Sequence, residues 1–276
     1  MTEPLFDLAV AAASFFAGLL GSLIGLGGGI IITPLLVLGF GVDIRYAMGA
    51  ALCSVIATSS GAAAAYLRDG ISNLRIGLFL CMATTVGAVC GALMATSLDQ
   101  SLLAIIFGAA LLATVFLSLR KRSESPLLPE DSDPLARRLN LPGEVPGPEG
   151  STAYGVAGVI PGFCVMWVAG VLSGLLGIGS GAFKVLAMDQ IMRLPFKVTT
   201  ATSNFMIGVT AAASVGIYLK KGYLDPALIS PVALGVLAGA FFGAKLLTVA
   251  PVKLLRVIFL TAVSVIAVQM ILKGLQ

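Results

Sequence analysis

Long apolar segments, each about the length of one membrane span, follow one another along this chain. They cover residues 46–67, 76–98, 102–119, 198–219, 227–247 and 254–272. An α-helix needs about 20 such residues to cross the hydrocarbon core of a bilayer. A membrane β-strand would instead alternate in polarity over about 10 residues, whereas these segments are continuously apolar. The pattern therefore predicts an all-α polytopic membrane protein.

Two further apolar blocks, residues 5–40 and 153–192, are too long for one straight span, since a helix rises about 1.5 Å per residue. Each is interrupted by closely spaced glycines, at Gly25–Gly29 and at Gly177–Gly181. Either block could be one long broken crossing or a hairpin that folds back at the glycines. The chain is accordingly predicted to hold eight to ten helices.

The two halves of the chain match each other at a constant offset of 152 residues. Four glycines of the first half (Gly18, Gly25, Gly27 and Gly29) fall on Gly170, Gly177, Gly179 and Gly181. Two more, Gly87 and Gly91, fall on Gly239 and Gly243. This indicates an internal duplication, as found in many secondary transporters with interrupted helices. The prediction is two homologous repeats of four to five helices, each with a glycine-broken first helix, at residues 1–119 and 153–276.

Residues 120–152 between the repeats are rich in proline and acidic side chains, which predicts a solvent-exposed linker. Asp133 followed by Pro134 suits the N-cap and first position of a short helix. If each repeat opens with a hairpin, most arginines and lysines lie on the linker side of the membrane. The positive-inside rule then favours inverted repeats, a cytoplasmic linker and both termini outside.

Composition excludes several kinds of function. The chain is 58% hydrophobic and 11% charged, and it has no histidine. The lack of histidine argues against haem ligation, Ser-His catalysis and most zinc sites, and no nucleotide-binding motif is present. The four cysteines lie singly in apolar runs. We therefore expect no enzyme, no metal and no cofactor. A net charge of +4 indicates contact with lipid rather than nucleic acid.

Lys184 is the most informative single residue. It follows the second glycine run inside an apolar stretch, and the corresponding residue of the first half is Ile32. A cation at the bilayer centre costs about 2.5–3.5 kcal/mol even on lenient scales, so such a residue is a functional candidate. A structural alternative is snorkelling, or a buried ion pair with Asp189. That pair is awkward because residues five apart on a helix point about 140° apart. Asp189 is a candidate for coupling or gating.

The other candidate binding groups are backbone N–H groups at the helix breaks and hydroxyl or amide side chains that can hold an oxyanion. Thr199, Ser203, Met206 and Thr210 are predicted to share one helical face, with interhelical hydrogen bonding as the alternative role. The predicted substrate-binding residues are Lys184, Gly27, Gly28, Gly29, Gly179, Ser180, Gly181, Thr202, Ser203 and Asn204. Gly235, Gly239 and Gly243 have the spacing of helix packing.

The run from Gly21 to Gly29 followed by Pro34, with Gly-Ile-Gly-Ser-Gly in the second half, resembles the TauE/SafE family of sulfite exporter-like membrane proteins. The resemblance covers the chain outside the linker. It implies transport of sulfite, organosulfonates or related small anions across the bacterial inner membrane. Pro34 has no equivalent in the second half, where Leu186 stands. The two halves are therefore not expected to contribute equally to the site.

We expect a multi-pass inner-membrane transporter that exports small sulfur-containing anions, with a proton or sodium as coupling ion and with membrane lipid and further copies of the chain as potential partners. An anion channel, or a transporter of thiosulfate or a carboxylate, is the alternative. Glycine breaks and a buried lysine serve a carrier and a channel equally well.

Overall fold

The computed structural model describes residues 3–24, 29–119, 127–147, 150–247 and 252–276. These residues are mostly helical, as predicted. The helices before the linker are α1 (Glu3–Ile24), α2 (Gly29–Pro34), α3 (Ile44–Arg68), α4 (Leu74–Ser97) and α5 (Gln100–Leu119). The linker holds α6 (Pro134–Arg138), β1 (Gly143–Gly147) and β2 (Gly150–Tyr154). Then follow α7 (Val159–Leu176), α8 (Gly181–Leu186), α9 (Phe196–Lys220), α10 (Pro226–Leu247) and α11 (Val252–Leu275).

Among the described residues, five helices are long and apolar enough to cross a membrane by length and composition. They are Ile44–Arg68, Leu74–Ser97, Gln100–Leu117, Val159–Leu176 and Phe196–Lys220. Three further long helices, α1, α10 and α11, bring the long helices of the described ranges to eight, within the predicted eight to ten. The starts of α2, α3, α4 and α5 precede those of α8, α9, α10 and α11 by 152 residues each.

The segment after α7 folds back along that helix. α8 continues into a π-helical turn, Ala187–Ile191, that ends beside the start of α7. There the Ala157 N–H donates to the Met192 carbonyl at 3.1 Å, and a Cβ on Gly162 would lie 2.7 Å from the Met192 side chain. The length of the second glycine-bearing block allowed either a hairpin or one long broken crossing. The structure has the hairpin.

The first block has the same shape at the opposite end of the bundle. α2 continues into a π-helical turn, Leu35–Gly39, and the Phe40 ring lies edge-on to Phe6 near the start of α1, with centroids 5.6 Å apart. Lys273 near the C-terminus donates to the Val37 carbonyl at 2.7 Å. We call this end of the bundle the terminal end. The opposite end, where α7 begins, is called the linker end.

Glycines allow the helices of the two halves to pack at very short range. α1 packs on α10, and α4 packs on α7. A Cβ on Gly235 or Gly239 of α10 would overlap the carbonyl oxygens of Ala11 and Phe15. Gly87 and Gly91 of α4 meet the backbone of α7 in the same way. The packing role predicted for Gly235 and Gly239 is confirmed, while the Gly243 side-chain position lies outside the described residues.

Most described residues of the linker are exposed or part-buried, as predicted, but a few anchor it to the bundle. Ala136 and Leu141 of the linker, and Tyr154 and Val156 just after it, are buried. They belong to one apolar cluster with residues of α4, α7 and α9. β1 and β2 form an antiparallel hairpin that the proline-rich sequence did not predict. β2 continues two residues beyond the predicted linker boundary at 152.

The short helix predicted at Asp133 is confirmed, and its cap has a second role. One carboxylate oxygen of Asp133 accepts from the Leu135 N–H of α6 at 3.3 Å. The other accepts from the Val159 N–H, the first residue of α7, at 3.4 Å. An acidic side chain near a helix N-terminus satisfies free N–H groups and interacts favourably with the helix dipole. One carboxylate therefore ties the linker to the start of the second hairpin.

Asn73 connects the linker to the helical bundle. Its amide nitrogen donates to the Leu141 carbonyl at 3.0 Å and to the Tyr154 hydroxyl at 2.8 Å. Its side-chain oxygen caps α4 by accepting from the Ile76 N–H. Burial raises the pKa of Tyr154, so this hydroxyl stays neutral. The α3–α4 turn is thereby held against the linker.

Candidate functional site

The two glycine segments meet in the interior of the bundle. A Cβ on Gly29, the first residue of α2, would lie 3.2 Å from the Gly177 carbonyl and 2.6 Å from Val55 of α3. A Cβ on Gly179 would lie 2.8 Å from Ile207 of α9. Val55 and Ile207 are themselves 152 residues apart and belong to the main buried core. The first residue of α2 therefore lies beside Gly177, the residue that ends α7.

The second break is a turn in left-handed backbone conformation. Gly177, Gly179 and Ser180 have φ values of 68°, 70° and 43°, a region that glycine adopts without steric cost. The Ser180 hydroxyl donates to the Ala169 carbonyl of α7, which holds the turn against its own hairpin. The helix break predicted at Gly177–Gly181 is confirmed. Gly27 and Gly28 lie outside the described residues, while α1 ends at Ile24 and α2 begins at Gly29.

Lys184 lies on α8 just after this turn and is completely buried. Its ammonium donates to the Thr210 hydroxyl at 2.9 Å and lies 3.5 Å from the Met206 carbonyl. Both partners are on α9, which runs 25 residues from Phe196 to Lys220. Met206 and Thr210 are near the middle of that helix, so the ammonium lies at mid-depth of the bundle. A snorkelling lysine would instead reach one end.

The described hydrogen-bond partners of this ammonium are polar but neutral. Thr210 donates to the Met206 carbonyl at 2.6 Å, and its oxygen lies 3.2 Å from the Thr84 hydroxyl of α4. Cys81, one turn earlier on α4, is near enough to interact electrostatically with Lys184. Burying a cation without a counter-charge is costly. Lys184 therefore remains a candidate ligand for an anion.

The predicted polar face of α9 is buried as expected: Thr199, Ser203, Met206 and Thr210 are each at most 1% exposed. The hydroxyls of Thr199 and Ser203 are buried without a hydrogen-bond partner. A buried unpaired hydroxyl costs about 1–3 kcal/mol. At 100° per residue, Ser203 lies between Ile207, which faces Gly179, and Thr210, which faces Lys184. Ser203 therefore shares the face of α9 that carries Thr210, about two turns closer to the linker end.

Two of the other predicted ligands have partners elsewhere. The Thr202 hydroxyl accepts from the Asn73 N–H at 3.1 Å, at the linker end of the bundle. The Asn204 amide donates to the Thr200 carbonyl at 3.0 Å, and the Asn204 carbonyl accepts from Ser59 of α3. The contact between Ser59 and Asn204 is an interhelical hydrogen bond, the role that was the structural alternative, whereas the Asn204 amide bonds within its own helix. Gly181 begins α8, directly beside the turn.

Asp189 is 5% exposed and lies in the π-helical turn that follows α8. π-Helical turns are rare and occur frequently at functional sites. The ammonium of Lys184 is held by hydroxyl and carbonyl oxygens. The role of Asp189 in coupling or gating stays a prediction.

Sequence reasoning placed Thr210 on the correct face but missed its contact with Lys184, and it missed Thr84 and Asn73 entirely. Thr84 is a single hydroxyl in an apolar helix, and only the packing of α4 against α9 brings it to Thr210. Within the described ranges, no group of three or more Cys, Asp or Glu side chains could hold a metal ion.

Two curated bacterial proteins are similar to this chain over most of its length. The chain is 28% identical to the probable membrane transporter protein YunE of Bacillus subtilis over 237 residues, 83% of each chain. It is also 28% identical to the probable membrane transporter protein YdhB of the same organism, over 90% of this chain and 93% of YdhB. Solved structures offer no significant match.

A family profile, described as Sulfite exporter TauE/SafE, matches residues 10–270. This match takes in most of the first hairpin and all of the second, together with the linker and the buried lysine. The chain therefore belongs to the TauE/SafE family of membrane transporters.

Proposed function

We propose that this protein is a secondary transporter that moves small sulfur-containing oxyanions, such as sulfite or organosulfonates, out across the bacterial inner membrane. The observation that carries the proposal is Lys184, fully buried at mid-depth with neutral partners only among its hydrogen bonds. An oxyanion there would accept charge-assisted hydrogen bonds from the ammonium. The unpaired Ser203 hydroxyl would replace part of the anion's lost hydration.

The proposed site consists of Lys184, Ser203 and the turn Gly179–Gly181, with Gly27, Gly28 and Gly29 contributed by the first half. Thr202 and Asn204 are proposed to support this site without binding the anion directly. The Thr202 hydroxyl and the Asn204 amide have hydrogen-bond partners outside the site. Asp189 is proposed to gate or couple transport from the adjoining turn. A carrier needs such a site to be reached from each side in turn, and interrupted helices at the interface of two repeats serve this in many transporters.

We further propose that the two halves are inverted repeats. The constant offset between helix starts supports a duplication. The hairpins support inversion, because the first opens at the terminal end and the second at the linker end. The domains would be residues 1–119 and 153–276, joined by the linker at 120–152.

Transport itself is tested in vesicles that contain the purified protein. We expect labelled sulfite to enter faster when unlabelled sulfite is trapped inside, because a carrier exchanges its substrate whereas a channel does not. Uptake should saturate. A thermal-shift screen with sulfite, thiosulfate, sulfonates, sulfate and carboxylates would rank the substrates. Unsaturable flux without counterflow would contradict a carrier, and absence of flux with all these anions would contradict the proposed function.

The linker is proposed to be cytoplasmic and the termini external. Cysteines introduced at Glu130 in the linker and at Lys221 at the terminal end, both exposed, test this in a cysteine-free background. We expect a membrane-impermeant maleimide added to intact cells to label Lys221→Cys and not Glu130→Cys. Ser132 is unsuitable because it is buried. The opposite labelling pattern would reverse the orientation.

A further inference from the structure

The hydrogen bonds around Lys184 suit a lysine that changes its charge. The ammonium contacts two oxygens, the Thr210 hydroxyl at 2.9 Å and the Met206 carbonyl at 3.5 Å. A partner carboxylate would have no hydrogen to offer and would stabilise the charged form alone. A hydroxyl carries one hydrogen and two lone pairs. It can therefore accept from an ammonium or donate to a neutral amine.

Thr210 can change between these two arrangements with little cost. Its oxygen lies 2.6 Å from the Met206 carbonyl and 3.2 Å from the Thr84 hydroxyl. When Thr210 donates to the Met206 carbonyl, it has lone pairs free for the ammonium. When the amine is neutral, Thr210 can rotate its hydrogen to the nitrogen. Thr84, which also lies 3.3 Å from the Cys81 carbonyl, keeps a partner in both arrangements.

Among the described residues, few other ionisable groups lie on the helices around Lys184. α4 contributes Cys81, and α9 contributes the Thr210 hydroxyl and the Met206 carbonyl. α5 carries no ionisable side chain, and α7 carries Cys164, which is exposed. Asp189 follows five residues after Lys184, on the π-helical turn. The oxygens that hold Lys184 are neutral, so an arriving anion would pair with Lys184 itself.

We propose that Lys184 takes up one proton with each anion that it binds, so that anion and proton are carried together. This rests on the transport function proposed above. The lone pair of the neutral amine takes a proton from the aqueous phase, and the monoanion then pairs with the resulting ammonium. The site has zero net charge both empty and loaded. On the other side the anion leaves and the ammonium returns its proton to water.

This cycle avoids the least stable states of the buried site around Lys184. A charged ammonium with no anion would lie at mid-depth against neutral oxygens, at a cost of several kcal/mol. An anion beside a neutral amine would be equally unpaired. Joint arrival and departure avoid both states, and they make the combined gradients of anion and proton set the direction of net movement. Export then requires the outward anion gradient to exceed the opposing proton gradient.

The test uses methanesulfonate, which stays a monoanion across the pH range, so it carries no proton of its own. Vesicles with the purified protein contain a trapped pH-sensitive dye, and potassium with valinomycin holds the membrane potential at zero. We expect internal acidification in step with methanesulfonate uptake, about one proton per anion. The affinity should fall about tenfold per pH unit on the alkaline side, the slope for one linked proton.

Variants separate a proton carrier from a fixed charge. Lys184→Arg keeps a permanent charge, so any binding that remains should be independent of pH. Thr210→Val removes the reversible hydroxyl, and we expect it to shift the pH profile of affinity. Thr114→Val is the matched control, because Thr114 is also buried and its hydroxyl donates within its own helix, to the Ala110 carbonyl. It should leave the pH profile unchanged.

Two results would overturn the inference in different ways. Saturable uptake without acidification, or uptake driven by a sodium gradient, would refute proton coupling and leave the transport function intact. No uptake of methanesulfonate or sulfite at any pH would refute the transport function and the coupling together.

Discussion

Lys184→Met is expected to lower the affinity for sulfite or a sulfonate at least tenfold, about 1.4 kcal/mol, while the protein stays folded. Methionine keeps a similar length and removes the charge. The ammonium has neutral oxygens as hydrogen-bond partners. Burying the head group of a lysine is costly in its charged form and in its neutral form, so an apolar replacement is expected to be neutral or stabilising. We therefore expect equal or higher thermal stability in detergent, measured on the same sample as the affinity.

Lys273→Met is the matched control for this substitution. Lys273 also donates to a backbone carbonyl, that of Val37, but at the terminal end. Its loss should leave anion affinity unchanged. If Lys184→Met instead destabilises the protein and the surviving fraction binds with normal affinity, Lys184 is a structural residue and not a ligand.

Gly91→Val is expected to have the largest effect on folding. The new Cβ would overlap the Val171 carbonyl of α7 and lie 2.8 Å from the Leu175 nitrogen. Both contacts are with backbone, which cannot move aside as a side chain can. Overpacking in a core costs about 1–3 kcal/mol, and a backbone clash lies at the upper end of that range or beyond. We expect a large drop in melting temperature and loss of the monodisperse peak in size-exclusion chromatography.

Gly216→Val controls for the change of glycine to valine within a helix. Gly216 lies in α9, and nothing lies within 4 Å of the position that its Cβ would take. This variant should keep near-normal stability. Equal stability of Gly91→Val and Gly216→Val would show that α4 and α7 do not depend on close glycine packing.

Local sequence signals predicted the helices, the second helix break and the short linker helix. These depend on hydrophobic length, on glycine density and on a capping pair such as Asp133 and Pro134, all of which lie within one stretch of chain. The points that anchor the linker were not predicted. The Leu141 carbonyl and the Tyr154 hydroxyl accept hydrogen bonds from the side chain of Asn73, which lies far away in sequence.

The site could be predicted only in part for the same reason. Lys184 was identifiable because a charge in an apolar run is rare. Its contacts depend on which face of α9 meets α8 and which meets α4. Thr202 is a threonine like Thr210, eight residues before it on the same helix, but it faces Asn73 and not the ammonium. Which of these two threonines meets the ammonium depends on how α4, α8 and α9 pack together, and the sequence of α9 alone does not give this.

The packing of α1 on α10 has a consequence for how the chain is made in the cell. Gly18 of α1 lies against Val236, more than 200 residues later in the chain. During synthesis, α1 enters the membrane long before its partner leaves the ribosome, with its small-residue face open to lipid or to membrane chaperones. Chains that stall or are truncated before α10 should therefore be targets for membrane proteases, even though most of their helices are already inserted.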